Sequence, residues 1–240
     1  MTLTPPGRVL AERIPALLTG WDAAVEDVEC AARRGSRVLR VGFLASAANE
    51  ATPQIIAAFT RDHPGWRVEM RQAAWSNPTA GLLTGEVDVA FLRLPCPGQH
   101  RLRVLELFAE PRGVALPAGH ALAARSRIEF HELWDESFVA APADPHGWRD
   151  YWLATAQREG RPVRIGAVAD HPDEWLSAIA NGAGIALAPA SAARYYARPG
   201  VVFIPVAGLI ESRVAVAWMP DAGEDSAVHA FVRSCAAATT

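Results

Sequence analysis

The sequence predicts an α/β protein of two lobes with a cleft between them, preceded by one long helix. Three observations carry this prediction. Strand and helix signals alternate as β-α-β-α-β from Val38 to Leu92, the order that builds a parallel sheet with right-handed crossovers. A second alternating series runs from Phe138 to Pro205, and a tail strand with a last helix follows it. Two α/β series with a returning tail imply two crossovers between the lobes. At 240 residues, half of them hydrophobic, the chain can bury one large core or two small ones.

The first 35 residues read as a separate unit. Leu10, Ile14, Leu17, Trp21, Ala24, Val28 and Ala31 recur at alternating steps of four and three, a heptad seam. Thr4-Pro5 reads as N-cap and first helical position, and Gly35 as a stop. The seam packs on the globular body or, the favoured reading, on a second chain. Pro15 opposes a straight helix, because it removes the bond to the Ala11 carbonyl.

Val38–Phe43 is the first strand. It runs into the small-residue turn Leu44-Ala45-Ser46-Ala47-Ala48-Asn49 and then a helix, Thr52–His63, whose apolar stripe is Ile55, Ile56 and Phe59. A strand ending at a helix N-terminus presents free N–H groups and the positive end of the helix dipole to whatever fills the crevice, so a small and anionic occupant is expected there. Arg67–Gln72 follows as a strand, Pro78–Gly85 as a helix and Val87–Leu92 as a strand, and Pro95-Cys96-Pro97-Gly98 closes the unit. Leu102–Phe108 and Gly113–Leu116 are two further apolar runs. The second series comprises strand Phe138–Ala141, a helix from Trp148 to Arg158, strand Val163–Ala167, helix Glu174–Ala180, strand Gly184–Ala188, a short helix Ser191–Tyr196 and strand Val201–Pro205. Strand Val214–Met219 and helix Ser226–Ala238 form the tail. Gly182-Ala183-Gly184 follows a helix rather than opening one, so it reads as a helix stop and not as a dinucleotide fingerprint.

Composition excludes several functions. All 23 basic residues are arginine, which removes a P-loop lysine, a pyridoxal Schiff base and any lysine general base. Net charge is −3 and no basic cluster exceeds two adjacent arginines, so no strong nucleic-acid footprint is visible. Cys30, Cys96 and Cys235 are far apart and odd in number, which fits structural thiols in a reduced, cytoplasmic protein better than disulfides or zinc. No signal core and no run of membrane-spanning length is present. G-x-S-x-G and H-E-x-x-H are absent. The proline in His171-Pro172-Asp173-Glu174 disrupts a helical metal pair, so no catalytic residue, metal or cofactor is expected.

Five segments together resemble the LysR-type transcriptional regulators: Leu3-Thr4-Pro5-Pro6-Gly7 leading into the long helix, Leu39-Arg40-Val41-Gly42-Phe43, Gly85-Glu86-Val87-Asp88-Val89-Ala90-Phe91, Val114-Ala115-Leu116-Pro117-Ala118-Gly119-His120, and Asn181-Gly182-Ala183-Gly184-Ile185-Ala186-Leu187-Ala188-Pro189-Ala190-Ser191. The resemblance covers roughly residues 3–236. It implies two Rossmann-like lobes of the type II periplasmic-binding-protein kind. Residues 1–35 would be the linker and dimerisation helix, 36–108 plus 206–240 the first lobe and 109–205 the second. It further implies a small-molecule effector between the lobes and a homodimer or higher oligomer. Helix Pro53–His63 and strand Arg67–Gln72 would form the dimer contact, so removing residues 1–35 should weaken assembly without unfolding the lobes. No winged helix-turn-helix stands before Leu3 in these 240 residues. DNA is therefore expected as a partner only where that motif is supplied upstream or by another chain.

The same resemblance places effector contacts at Ser46 and Ala47, at Trp75, Ser76 and Asn77, at Pro142 through Trp148, including His146, at Asp170 to Pro172, including His171, and at Arg93 after the third strand. Each has a plainer alternative. Ser46 caps its helix, Trp75 joins the core, and His146 and His171 are ordinary surface histidines. Arg93 either grips a ligand carboxylate in a bidentate fork or ties the hinge to an acidic neighbour. A stand-alone solute-binding protein or a dehydratase-like enzyme would share the fold.

Overall fold

The structure is a computed structural model that describes residues 3–35, 37–45, 51–144, 147–223 and 226–239. Helix α1 spans Pro5–Gly35 and continues through Pro15. Leu10, Ile14, Leu17 and Trp21 stand 41–68 % exposed along it, so these seam residues do not pack on the body. The Val28 and Ala31 side chains lie outside the described residues.

The first lobe is built on a five-stranded sheet with the order β2-β1-β3-β11-β4. Its strands are β1 (Val38–Phe43), β2 (Arg67–Gln72), β3 (Val89–Leu94), β4 (Arg103–Glu110) and β11 (Ser212–Trp218). β1 pairs in parallel with β2 and β3, while β11 runs antiparallel to β3 and β4. β3 is buried along its whole length, as a central strand covered on both faces requires. Its alternate residues serve two cores. Val89 and Phe91 face Ile55 and Phe59 of α2 (Ala51–Asp62) and Phe231 of α6 (Ala227–Ala238). Ala90 and Leu92 face the segment Ala80–Val87 and Trp148. The Phe59–Phe231 and Phe91–Phe231 ring contacts, 5.5 and 5.9 Å between centroids, hold α6 on this sheet. Ser226 caps α6 by accepting the His229 N–H.

The second lobe carries the sheet β6-β10-β5-β9, from β5 (Arg112–Pro117), β6 (Ile128–Glu129), β9 (Ala186–Pro189) and β10 (Val201–Ala207). β7 (Ser137–Ala140) and β8 (Arg164–Val168) form a parallel pair, and β7 bridges to Ile185 just before β9. Helices α3 (Trp148–Trp152), α4 (Pro172–Ala180) and α5 (Ala192–Tyr195) complete this lobe. The chain crosses between lobes at Pro111, from β4 to β5, and again at residues 208–211, from β10 to β11.

Two expected helices are corrected. Pro78–Gly85 is a succession of turns. Ala80, Gly81 and Gly85 sit at φ 53°, 83° and 71°, outside helical space, and the Asn77 side chain accepts from Thr79 Oγ1 and the Gly81 N–H, which competes with helical bonding. The helix expected from Trp148 to Arg158 stops at Trp152. Ala154 turns left-handed at φ 51°, and this turn carries Arg158 inward. There Arg158 lies fully buried over the Phe138 and Phe130 rings, donating to the Leu153 and Trp134 carbonyls. Strand boundaries elsewhere move by a few residues at most, and β1 and β2 coincide with the expected spans.

Candidate functional site

The carboxyl ends of β1 and β3 face α3, α4, α5 and β9 of the other lobe across a cavity of about 90 Å³, several times the ~10–15 Å³ that one water needs. Four tryptophans contribute to its wall: Trp75 from the first lobe and Trp148, Trp152 and Trp175 from the second. Leu44, Phe138, Ala140, Pro172 and Leu187 supply much of the remainder. Apart from Arg93, Arg149 and Tyr196, every lining residue is apolar or an indole, and among the described residues no carboxylate reaches the cavity. Trp148 and Trp152 meet edge to face at 6.1 Å, and their Nε1 donors are buried with no acceptor among the described residues.

Two sets of bonds join the lobes around this cavity. At the mouth, the Trp75 N–H donates to the Asp170 carbonyl at 3.0 Å. The Ser76 N–H and hydroxyl each donate to one Asp170 carboxylate oxygen at 2.7 Å, and the Trp75 and Trp175 rings meet edge to face at 6.0 Å. At the hinge, Arg93 Nη2 lies 2.9 Å from Glu110 Oε1, and Arg93 Nη1 donates to Ser212 Oγ at 2.9 Å. Glu110 also accepts the Ser191 N–H at 2.7 Å and the Ser191 hydroxyl at 3.0 Å. This network spans both crossovers, since Glu110 ends β4 and Ser212 begins β11. Burial lowers the Arg93 pKa, and the Glu110 charge and hydrogen bond oppose that shift.

Among the expected site residues, Trp75, Arg93 and Trp148 line the cavity. Ser76 and Asp170 bond to each other across its mouth. Asn77 organises the turn behind them. Pro142 lies one residue beyond the lining residue Ala141, and His171 is exposed at the N-cap of α4. Ser46, Ala47 and His146 fall outside the described residues. The sequence reading did not single out Arg149, Trp152, Trp175 or Tyr196 as site residues. Trp152 and Arg149 share the segment Trp148-Arg149-Asp150-Tyr151-Trp152, and the aromatic content of that segment was the available signal.

Arg149 differs from Arg93 in its surroundings. The Asp144 carboxylate accepts the Trp148 and Arg149 backbone N–H groups at 3.1 and 2.8 Å. The half-buried Arg149 guanidinium has neither an acidic partner nor a hydrogen-bond acceptor among the described residues. Arg112, behind this wall, is buried against the Tyr151 and Trp152 rings at 4.6 and 5.3 Å, and burial pulls its pKa down to about 10. Burial pushes the Cys96 thiol up to about 11 and the Cys235 thiol up to about 12, which keeps both protonated and unreactive near neutrality. No cluster of metal-ligating side chains is present among the described residues, and no described helix is long and apolar enough to cross a membrane.

Residues 32–240 match the LysR substrate binding domain family. The chain is 30 % identical over 236 residues to the HTH-type transcriptional regulator TtuA of Agrobacterium vitis, spanning 94 % of this chain and 77 % of that protein. It is 26 % identical over 197 residues to the HTH-type transcriptional regulator AlsR of Bacillus subtilis (strain 168), spanning 81 % of this chain and 64 % of that one. Among solved structures, the effector binding domain of QuiR in complex with shikimate superposes with a TM-score of 0.68 at 18 % identity, covering 84 % of this chain and 96 % of that domain.

Proposed function

We propose a function from one premise: this chain belongs to the LysR substrate binding domain family. Its two-lobed architecture is the type II periplasmic-binding-protein-like fold of that family. The chain is the ligand-sensing module of a regulator, and its effector is a small organic molecule enclosed between the lobes. The observation that carries this reading is the tryptophan-walled cavity, which draws its lining from both lobes. A ligand touching both lobes binds the closed arrangement better than the open one and so shifts the balance between them. Regulation rather than turnover is supported by the regulator relatives. QuiR, whose structure holds shikimate, supports a small cyclic molecule as the kind of occupant.

A thermal-shift screen of small metabolites against the chain tests the reading. A cleft ligand at a hundred times its Kd contributes about 2.7 kcal/mol, which for a domain of this size raises Tm by about 5–10 °C. Trp75→Ala removes one half-buried wall and should weaken each such ligand roughly tenfold. Ligands that stabilise both proteins equally would place binding elsewhere.

Assembly belongs to the same reading. Leu10, Leu17 and Trp21 form an exposed apolar stripe on α1, which a second copy of the helix would cover. β2 is an edge strand of the first sheet, beside α2, and this pair extends the contact. Light scattering should report at least a dimer. Leu17→Glu with Trp21→Glu, both at exposed positions, should raise the dissociation constant tenfold or more. A wild-type chain that stays monomeric at all concentrations would refute the stripe's role.

A further inference from the structure

We propose that Arg149 is the anion anchor of the cleft and that the molecule it holds is a small planar monocarboxylate, an inference that rests on the cleft being a ligand site. Two arginines reach the cavity wall. Arg93 is already neutralised, because Glu110 pairs with it at 2.9 Å and Ser212 accepts from its other nitrogen. The Arg149 guanidinium is free of both kinds of partner among the described residues. The nearby Asp144 carboxylate spends both oxygens on the Trp148 and Arg149 backbone N–H groups. It thereby fixes the helix turn that carries Arg149, and it satisfies those N–H groups so that a ligand cannot use them.

Among the described residues no carboxylate lines the cavity, so a positive charge carried by Arg149 beside this largely apolar wall would draw an anion. The other unpartnered polar atoms of the lining residues, Trp148 Nε1 and Trp152 Nε1, are donors too. The rest of the ligand is set by shape. Aromatic walls favour a flat ring, and a cavity of about 90 Å³ leaves room for a single one. A second negative charge would have to sit against Ala140, Leu187 or an indole face, with its desolvation uncompensated.

Calorimetry on the whole chain with benzoate, nicotinate and 2-furoate, each beside its uncharged amide, tests the inference. At least one acid should bind tenfold or more tightly than its amide, and the dianion terephthalate should bind more weakly than benzoate. Arg149→Gln should lower the affinity of that acid to the level of its amide and leave the amide unchanged. Arg149→Lys should restore part of the loss. Failure of all three acids to bind at millimolar concentration would overturn the ligand class. An Arg149→Gln chain that binds the acid as tightly as wild type, while Trp75→Ala loses it, would overturn the anchor yet leave the cleft reading standing. Acid binding indifferent to both substitutions would remove the cleft reading as well.

Discussion

Glu110→Ala should destabilise the chain by about 3–5 kcal/mol, the cost of leaving a buried charge without its partner. The Arg93 and Glu110 side chains are only 5 % and 12 % exposed, so water cannot take over the lost interaction. Urea denaturation followed through the midpoint measures the effect. Replacing both members, Arg93→Met with Glu110→Leu, should recover part of the loss, because an apolar pair removes the stranded charge. It should not recover all of it, since Ser191 and Ser212 then lose their bonds to the pair at about 1 kcal/mol each. A Glu110→Ala cost below about 1 kcal/mol would mean that the pair behaves like an exposed ion pair and does not hold the hinge.

Gly42→Ala should cost about 3 kcal/mol, at the upper end of the range for overpacking a tight site. Gly42 lies on the face of β1 that carries Leu44 into the second core of the first lobe. A Cβ there would collide with the Ala80 carbonyl and press on Val87 Cγ2. The missing side chain is what lets the turns at Pro78–Gly85 lie directly on the strand. Gly119→Ala, where an added Cβ meets nothing within 4 Å, is the control and should change stability by less than about 1 kcal/mol. Equal effects of the two substitutions would show that the turns can retreat from β1 at little cost.

Much of the fold was legible because hydrophobic period and turn chemistry acted locally. Val38–Phe43 and Arg67–Gln72 were bounded by clear breaks, and both strands match their expected spans. Residues 78–85 were misread as helix because apolar content there reflects burial of Leu82 and Ala80 rather than a helical stripe. Left-handed backbone at a non-glycine such as Ala80 leaves no mark in composition. At the site, Trp75 and Trp148 were expected from the family resemblance, and both line the cavity. Arg93 could not be assigned between ligand and hinge, since the deciding contacts lie far along the chain, 119 residues away in the case of Ser212. Ser76 and Asp170 were expected separately as ligand contacts; the two hydrogen bonds that join them had no local trace, since 94 residues separate the pair. Arg149 was hidden by its type, because an arginine on a short helix ordinarily points to solvent.

The bonds from Trp75 and Ser76 to Asp170 also set a clock. If a molecule enters and leaves the cavity only when these bonds and the Trp75–Trp175 contact are parted, lobe opening sets its rate of exchange. Parting them costs on the order of 2–3 kcal/mol if each hydrogen bond contributes about 1 kcal/mol, which leaves the open form at roughly 0.6–3 % of the population. Association would then run roughly 30 to 160 times below the rate of an open cleft, and dissociation would slow in step. A module built this way averages over brief changes in ligand concentration. Its response time is written into the closure of the lobes, apart from the affinity of the wall for what it encloses.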